Sequence, residues 1–145
     1  MKKIIVYSKT GNTLSVAESL NEKLNVELLR IIPESDDPNI QSPVLTQNPN
    51  IDDADELIIG TPVHGFLPAK VMQTFILSHN FNQKNVHLFV THHFPFAWMG
   101  GKSAVKKMER MIIQQEGLVQ STHIINWSSK KRLANIEHLI NDLSA

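Results

Sequence analysis

Ser8-Lys9-Thr10-Gly11-Asn12-Thr13 gathers three hydroxyls, an ammonium, a side-chain amide and a glycine into six consecutive residues. Set ahead of a helix, such a stretch offers hydroxyl and backbone N–H donors and the positive end of the helix dipole, which is what a phosphate ester requires. The same residues also make an ordinary turn with an Asn or Thr helix cap. Two further segments carry reactive or ligand-facing side-chain types. Thr61-Pro62-Val63-His64-Gly65-Phe66 joins an imidazole, a phenyl ring and a glycine, and Thr91-His92-His93-Phe94 is followed by Phe96, Trp98, Gly100 and Gly101. Rings clustered in a loop mark a ligand or partner site when exposed, and core packing when Phe94, Phe96 and Trp98 fold inward. His92 and His93 are not read as metal ligands, because neighbours at a strand end face opposite sides and no carboxylate stands at ligand spacing. Gly100-Gly101, ahead of a helix, lets backbone approach a ligand or simply admits the helix.

The composition removes whole classes of function. With no cysteine among 145 residues, a disulfide scaffold, thiolate-ligated zinc, a thiolate-bound iron–sulfur cluster and a thiol nucleophile are excluded. Lys plus Arg equals Asp plus Glu at 14 each, so no net field draws the chain to nucleic acid or an anionic membrane. The apolar run at residues 4–7 is too short for a secretion signal, and the uncharged stretch 85–101 is broken by His87, His92, His93 and Pro95. A cytoplasmic protein with no membrane insertion is therefore expected. The length suits one domain over residues 1–145, and 41% hydrophobic residues supply one core.

These segments need elements to hold them, and the apolar pattern supplies a repeating one. A continuous apolar run at residues 4–7 predicts a first strand buried on both faces, and short stretches rich in Ile, Leu and Val at 26–32, 56–60, 85–91 and 119–127 predict four more. Between them, apolar residues at helical spacing predict helices. One starts near Asn12 or Thr13, one runs from Pro68 through Ile76, one from about Lys102 to the stop at Gly117, and one carries Leu133, Ile136, Ile140 and Leu143. Alternating strands and helices imply an α/β domain: a doubly wound five-stranded parallel sheet with helices on both faces. No helix is predicted between the second and third strands. Pro33, Pro38, Pro43 and Pro49 make residues 33–53 an irregular connection there, one expected to be dispensable for ligand binding. Residues 31–69 hold seven of the 14 carboxylates and no Lys or Arg, read as a solvated loop. In such a sheet, ligands bind beyond the carboxyl ends of the strands, so the turns after the first, third and fourth strands are the informative ones.

The first turn matches neither a nucleoside triphosphate loop nor a Gly-x-Gly-x-x-Gly dinucleotide fingerprint. It resembles the phosphate loop of the flavodoxin family, Ser/Thr-x-Thr-Gly-Asn-Thr, at every fixed position. Residues 54–65, Ala-Asp-Glu-Leu-Ile-Ile-Gly-Thr-Pro-Val-His-Gly, are similar to the family's third strand and flavin loop, and the likeness continues to Phe75. The resemblance implies a flavodoxin-like sheet of order 2-1-3-4-5 and one noncovalent FMN, rather than FAD. It places phosphate in residues 8–13 and the isoalloxazine between the loop after Gly60 and the loop after Val90. It also implies that the peptide at Gly65 reorients toward the flavin. The family usually flanks the ring with a Trp and a Tyr. Here the available side chains are His64 and Phe66 in one loop and His92, His93, Phe94, Phe96 and Trp98 in the other. The implied function is one-electron transfer between a reductase and an acceptor, whether a redox partner protein or a small molecule. The alternatives are an NAD(P)H-dependent flavin or quinone reductase and a flavin-free interaction module.

Overall fold

The computed structural model describes residues 1–93, 98–128 and 130–144. Five parallel strands form the sheet: β1 (Lys2–Val6), β2 (Glu27–Arg30), β5 (Glu56–His64), β7 (Asn85–His92) and β8 (Leu118–Asn126). Their spatial order is β2-β1-β5-β7-β8, which in chain order is the expected 2-1-3-4-5. The helices are α1 (Asn12–Leu24), α2 (Lys70–Leu77), α3 (Trp98–Gln114) and α4 (Arg132–Ser144).

Two cores explain the continuous apolar runs of the central strands. Ile5, Tyr7, Leu57, Ile59, Leu88 and Val90 point to one face, where Met72 and Phe75 of α2 and Val105, Met108 and Ile112 of α3 cover them. Their strand neighbours Ile4, Val6, Ile58 and Phe89 point the other way, onto Val16, Ala17 and Leu20 of α1 and Leu139 and Leu143 of α4. Alternation places residues on opposite faces, and covering both faces makes the central strands apolar, whereas β2 and β8 at the sheet edges keep polar and partly exposed positions.

The connection at residues 33–53 is more ordered than its prolines suggest. β3 (Ile32–Pro33) and β4 (Leu45–Gln47) pair antiparallel as a small second sheet, and Ile51 is fully buried in the core. Proline lacks one donor but still accepts and packs, so it suits a short edge strand. Pro43, Pro49 and Ile51 are buried, so part of the segment packs against the fold rather than forming a wholly irregular loop. Two other boundaries differ. Pro68 belongs to β6 (Leu67–Pro68), paired with Val63 of β5, and α2 starts at Lys70. Gly100 and Gly101 lie inside α3, which begins at Trp98, not ahead of it. A Cβ on Gly101 would come within 2.8 Å of Ile124 Cγ2 and 3.0 Å of His92 Cδ2, so this glycine lets the helix close onto the sheet.

At the amino ends of the strands the acidic residues are engaged. The N-terminal ammonium lies 2.7 Å from Asp55, and Lys3, almost buried, sits between Asp53 at 2.6 Å and Glu27 at 3.2 Å. That end is therefore electrostatically self-contained.

Three histidines make the fold sensitive to mild acid. Burial lowers the pKa of His64, His79 and His123 below the usual 6.5. For His123, Asp142 opposes the shift, whereas His138 and His87 add to it. The unfolded chain then binds more protons near pH 6.5 than the folded one. Stability is complete above that pH and falls as pH drops through it toward the folded-state values. Urea midpoints are expected to decrease from pH 7.5 to 5.5, with a shallower slope in His123→Gln. A flat profile in the wild type would contradict this.

Candidate functional site at the carboxyl ends of the strands

The turn after β1 is held from within by Ser8. Its Oγ accepts from the N–H groups of Gly11 and Leu14, each at 3.1 Å. Gly11 caps α1 at φ +97°, a conformation that L side chains rarely adopt, and a Cβ there would meet nothing within 4 Å. The backbone, rather than crowding, is thus what calls for glycine. The N–H groups of Thr10, Asn12 and Thr13 have no hydrogen-bond partner among the described residues. Three donors without partners at the start of a 13-residue helix suit an anion.

The second wall is the hairpin of β5 and β6. Gly65, at φ +68°, and Phe66 make its two-residue turn between His64 and Leu67. Phe66 is 63% exposed at the tip. His64 is half-buried, and its pKa is lowered by burial first and then by the charges of Lys9 and Lys70. The Lys9 charge thus acts on His64 from the turn after β1. The third wall is the end of β7. Thr91 is buried and its hydroxyl lies 2.8 Å from that of Thr13. Asn12 Nδ2 donates to His93 Nε2 at 2.8 Å, and Ser128 Oγ donates to the His93 carbonyl. The turns after β1, β5 and β7 thus meet at one end of the sheet, where strand order reverses between β1 and β5.

No protein-family model and no curated protein matches the chain. Solved structures do. A flavoprotein in complex with FMN from Lactobacillus acidophilus is 20% identical, with 85% of this chain and 91% of that one covered and a TM-score of 0.69. A flavodoxin, WrbA-like protein from Agrobacterium tumefaciens is 16% identical over 99% and 94% of the two chains, at 0.73. A flavodoxin mutant from Fusobacterium nucleatum bound to flavin mononucleotide is 13% identical over 99% and 92%, at 0.66.

The chain has the flavodoxin-like fold.

Within that fold the residues singled out from sequence fall into three groups. Ser8, Lys9, Thr10, Gly11, Asn12 and Thr13 form the turn, but their hydroxyls are not equivalent. Ser8 stabilises the turn and Thr13 is buried against Thr91, which leaves exposed Thr10 as the hydroxyl free for a ligand. Thr61, Pro62, Val63, His64, Gly65 and Phe66 end β5 and form the hairpin; Thr61 is fully buried, and its hydroxyl donates to the Pro62 carbonyl at 3.1 Å. Of the third group, His92, the last residue of β7, is buried, and His93, just beyond the strand, is exposed. Gly100 and Gly101 are buried in α3. Phe94 and Phe96 lie outside the described residues, and so does the side chain of Trp98. Sequence reasoning missed two cations here. Lys70, the first residue of α2, acts on His64, and Arg30 closes β2 beside the phosphate turn. Arg30 is the one basic residue in the 26–32 stretch, which was the available signal.

Proposed function

We propose that this chain binds one FMN noncovalently and serves as a one-electron carrier between a reductase and an acceptor, either a redox partner protein or a small molecule. The observation that carries the reading is the turn at residues 8–13, with its left-handed glycine and three unmet N–H donors. These donors and the Thr10 hydroxyl would hold the phosphate. Lys9 adds a positive charge, and the hairpin carrying His64 and Phe66 would offer one side of the ring. The flavin supplies the redox chemistry when bound; the chain's residues bind and orient it and set the local charge. Gly65, already at φ +68°, belongs to the one residue type that changes the sign of φ at little steric cost, so its peptide can turn toward the ring.

A second reading, an NAD(P)H-dependent reductase on the same scaffold, draws on the two cations Lys9 and Lys70 beside His64. Such a site suits an anionic nucleotide as well as a protein partner. Oxidation of NADPH by the FMN-loaded protein alone would favour it.

The test of flavin binding compares FMN with riboflavin, which lacks the phosphate. Thr10→Ala removes an exposed hydroxyl without disturbing a bond within the fold. It is expected to weaken FMN about tenfold, the worth of one hydrogen bond to a charged group, and to leave riboflavin unchanged. Fluorescence quenching measures both. Equal loss for the two ligands would make the turn purely structural.

A further inference from the structure

Beside the phosphate turn, on the side away from the hairpin, lies a cleft of about 200 Å³ between β1 and β2. Ser8 and Lys9 form its inner edge, and Arg30, Ile32, Pro33 and Asp36 line the rest. Neither Lys9 nor Arg30 makes an ion pair with a described residue. On the floor, the buried Tyr7 phenol donates to Asp36 Oδ1 at 2.9 Å. Burial and the Asp36 carboxylate push that phenol's pKa upward, so it remains a donor through neutral pH. Asp36 Oδ2 has no hydrogen-bond partner among the described residues and is available to accept.

We infer that this cleft is a subsite for a second ribose phosphate, the adenosine phosphate half of a dinucleotide whose other end occupies the neighbouring site.

The chemistry divides between the two kinds of charged group. A guanidinium and an ammonium match phosphate, and Arg meets its oxygens through a fixed fork of donors. A carboxylate repels phosphate but accepts from hydroxyls, so Asp36 suits a ribose diol. The place in the fold agrees. Where a parallel sheet binds dinucleotides, the acid that reads the ribose, or the arginine that reads an added phosphate, stands about 20 residues beyond the glycine turn. Arg30 stands 19 residues after Gly11 and Asp36 25, in the same place relative to β2, though the turn itself lacks the Gly-x-Gly-x-x-Gly pattern. The size is also informative. Pockets for whole ligands span roughly 300–1,000 Å³, so this one holds a fragment, with the base directed outward along Ile32 and Pro33. Because Ser8 and Lys9 belong to both sites, a ligand can run from one into the other. The same half-nucleotide occurs in FAD and in NAD(P)H.

The inference extends the flavin reading and rests on it for that continuity, but ADP alone tests it. Calorimetry on the full chain, with and without FMN, is expected to show 1:1 ADP binding. Arg30→Ala should weaken ADP about tenfold, the loss of one charge-assisted contact, and leave FMN within twofold of the wild type. Asp36→Asn retains an acceptor for Tyr7. It should weaken ADP and spare inorganic pyrophosphate, which has no ribose. FAD binding tighter than FMN, with the gain lost in Arg30→Ala, would identify a flavin dinucleotide. NADPH binding to the FMN-loaded protein with the same Arg30 dependence would identify the pyridine nucleotide. No ADP binding at millimolar concentration, or ADP binding indifferent to Arg30, overturns the inference even if FMN binds. Failure of FMN with Arg30-dependent ADP binding would overturn the flavin reading and leave the cleft standing.

Discussion

Gly11→Val is expected to raise the FMN dissociation constant by about ten- to a hundredfold while changing riboflavin affinity little. The cause lies in the backbone. Gly11 sits at φ +97° with open space where a Cβ would go, so valine meets no clash and the whole effect comes from conformation. A β-branched residue held there costs on the order of 1–3 kcal/mol. The free variant escapes by relaxing the turn, which also releases the Gly11 N–H from Ser8 Oγ. Binding a phosphate must then rebuild the turn, and the strain reappears as lost affinity, at about 1.4 kcal/mol for each factor of ten. Riboflavin has no phosphate to place there and does not load the turn. Parallel quenching titrations measure the two constants, and circular dichroism checks that α1 is retained. Matching losses for FMN and riboflavin would mean that residues 8–13 support the fold without meeting phosphate.

Residues 8–13 were legible as a turn between an apolar run and an amphipathic helix, and the turn stands where that pattern puts it. Their reading as a phosphate site came from the likeness to the flavodoxin motif, because the residues alone also make an ordinary capped turn. The central strands were legible because two buried faces leave apolar runs, and the outer ones because they are short stretches rich in Ile, Leu and Val. What escaped was settled by contacts distant in sequence. Thr13 looked like a ligand donor beside Thr10, yet its hydroxyl is turned to Thr91, 78 residues away. Pro68 fits the first turn of a helix, but pairing with Val63 draws it into a hairpin. Asp36 read as one more solvated carboxylate, and only folding brings Tyr7 to it across 29 residues. The Gly100-Gly101 pair read as a helix entry because glycine is a poor helix former. Close packing of α3 on His92 and Ile124 outweighs that propensity.

Gly60 shows the same effect with a measurable cost. It reads as the end of the third strand, yet β5 continues through it to His64. Gly60 is paired with Phe89 of β7, and a Cβ on Gly60 would lie 2.1 Å from Phe89 Cζ and 2.4 Å from Cε1. The phenyl ring occupies the volume that any side chain at residue 60 would need. It cannot swing away freely, because Phe89 is fully buried within the core formed by α1 and α4. Gly60→Ala must therefore push the ring into close-packed neighbours or spread β5 from β7. Overpacking of this kind costs about 3 kcal/mol, at the upper end of the usual range, which lowers Tm by about 10 °C for a chain of this size. Phe89→Leu in the same chain removes the ring atoms that clash. The double variant is accordingly expected to be more stable than the sum of the two single losses predicts, by on the order of 1–2 kcal/mol. Thermal denaturation of the four proteins in the cycle gives the coupling directly. A Gly60→Ala protein that melts with the wild type would show that β5 and β7 yield at this point, and additive losses would show that the ring is not what excludes a side chain at residue 60.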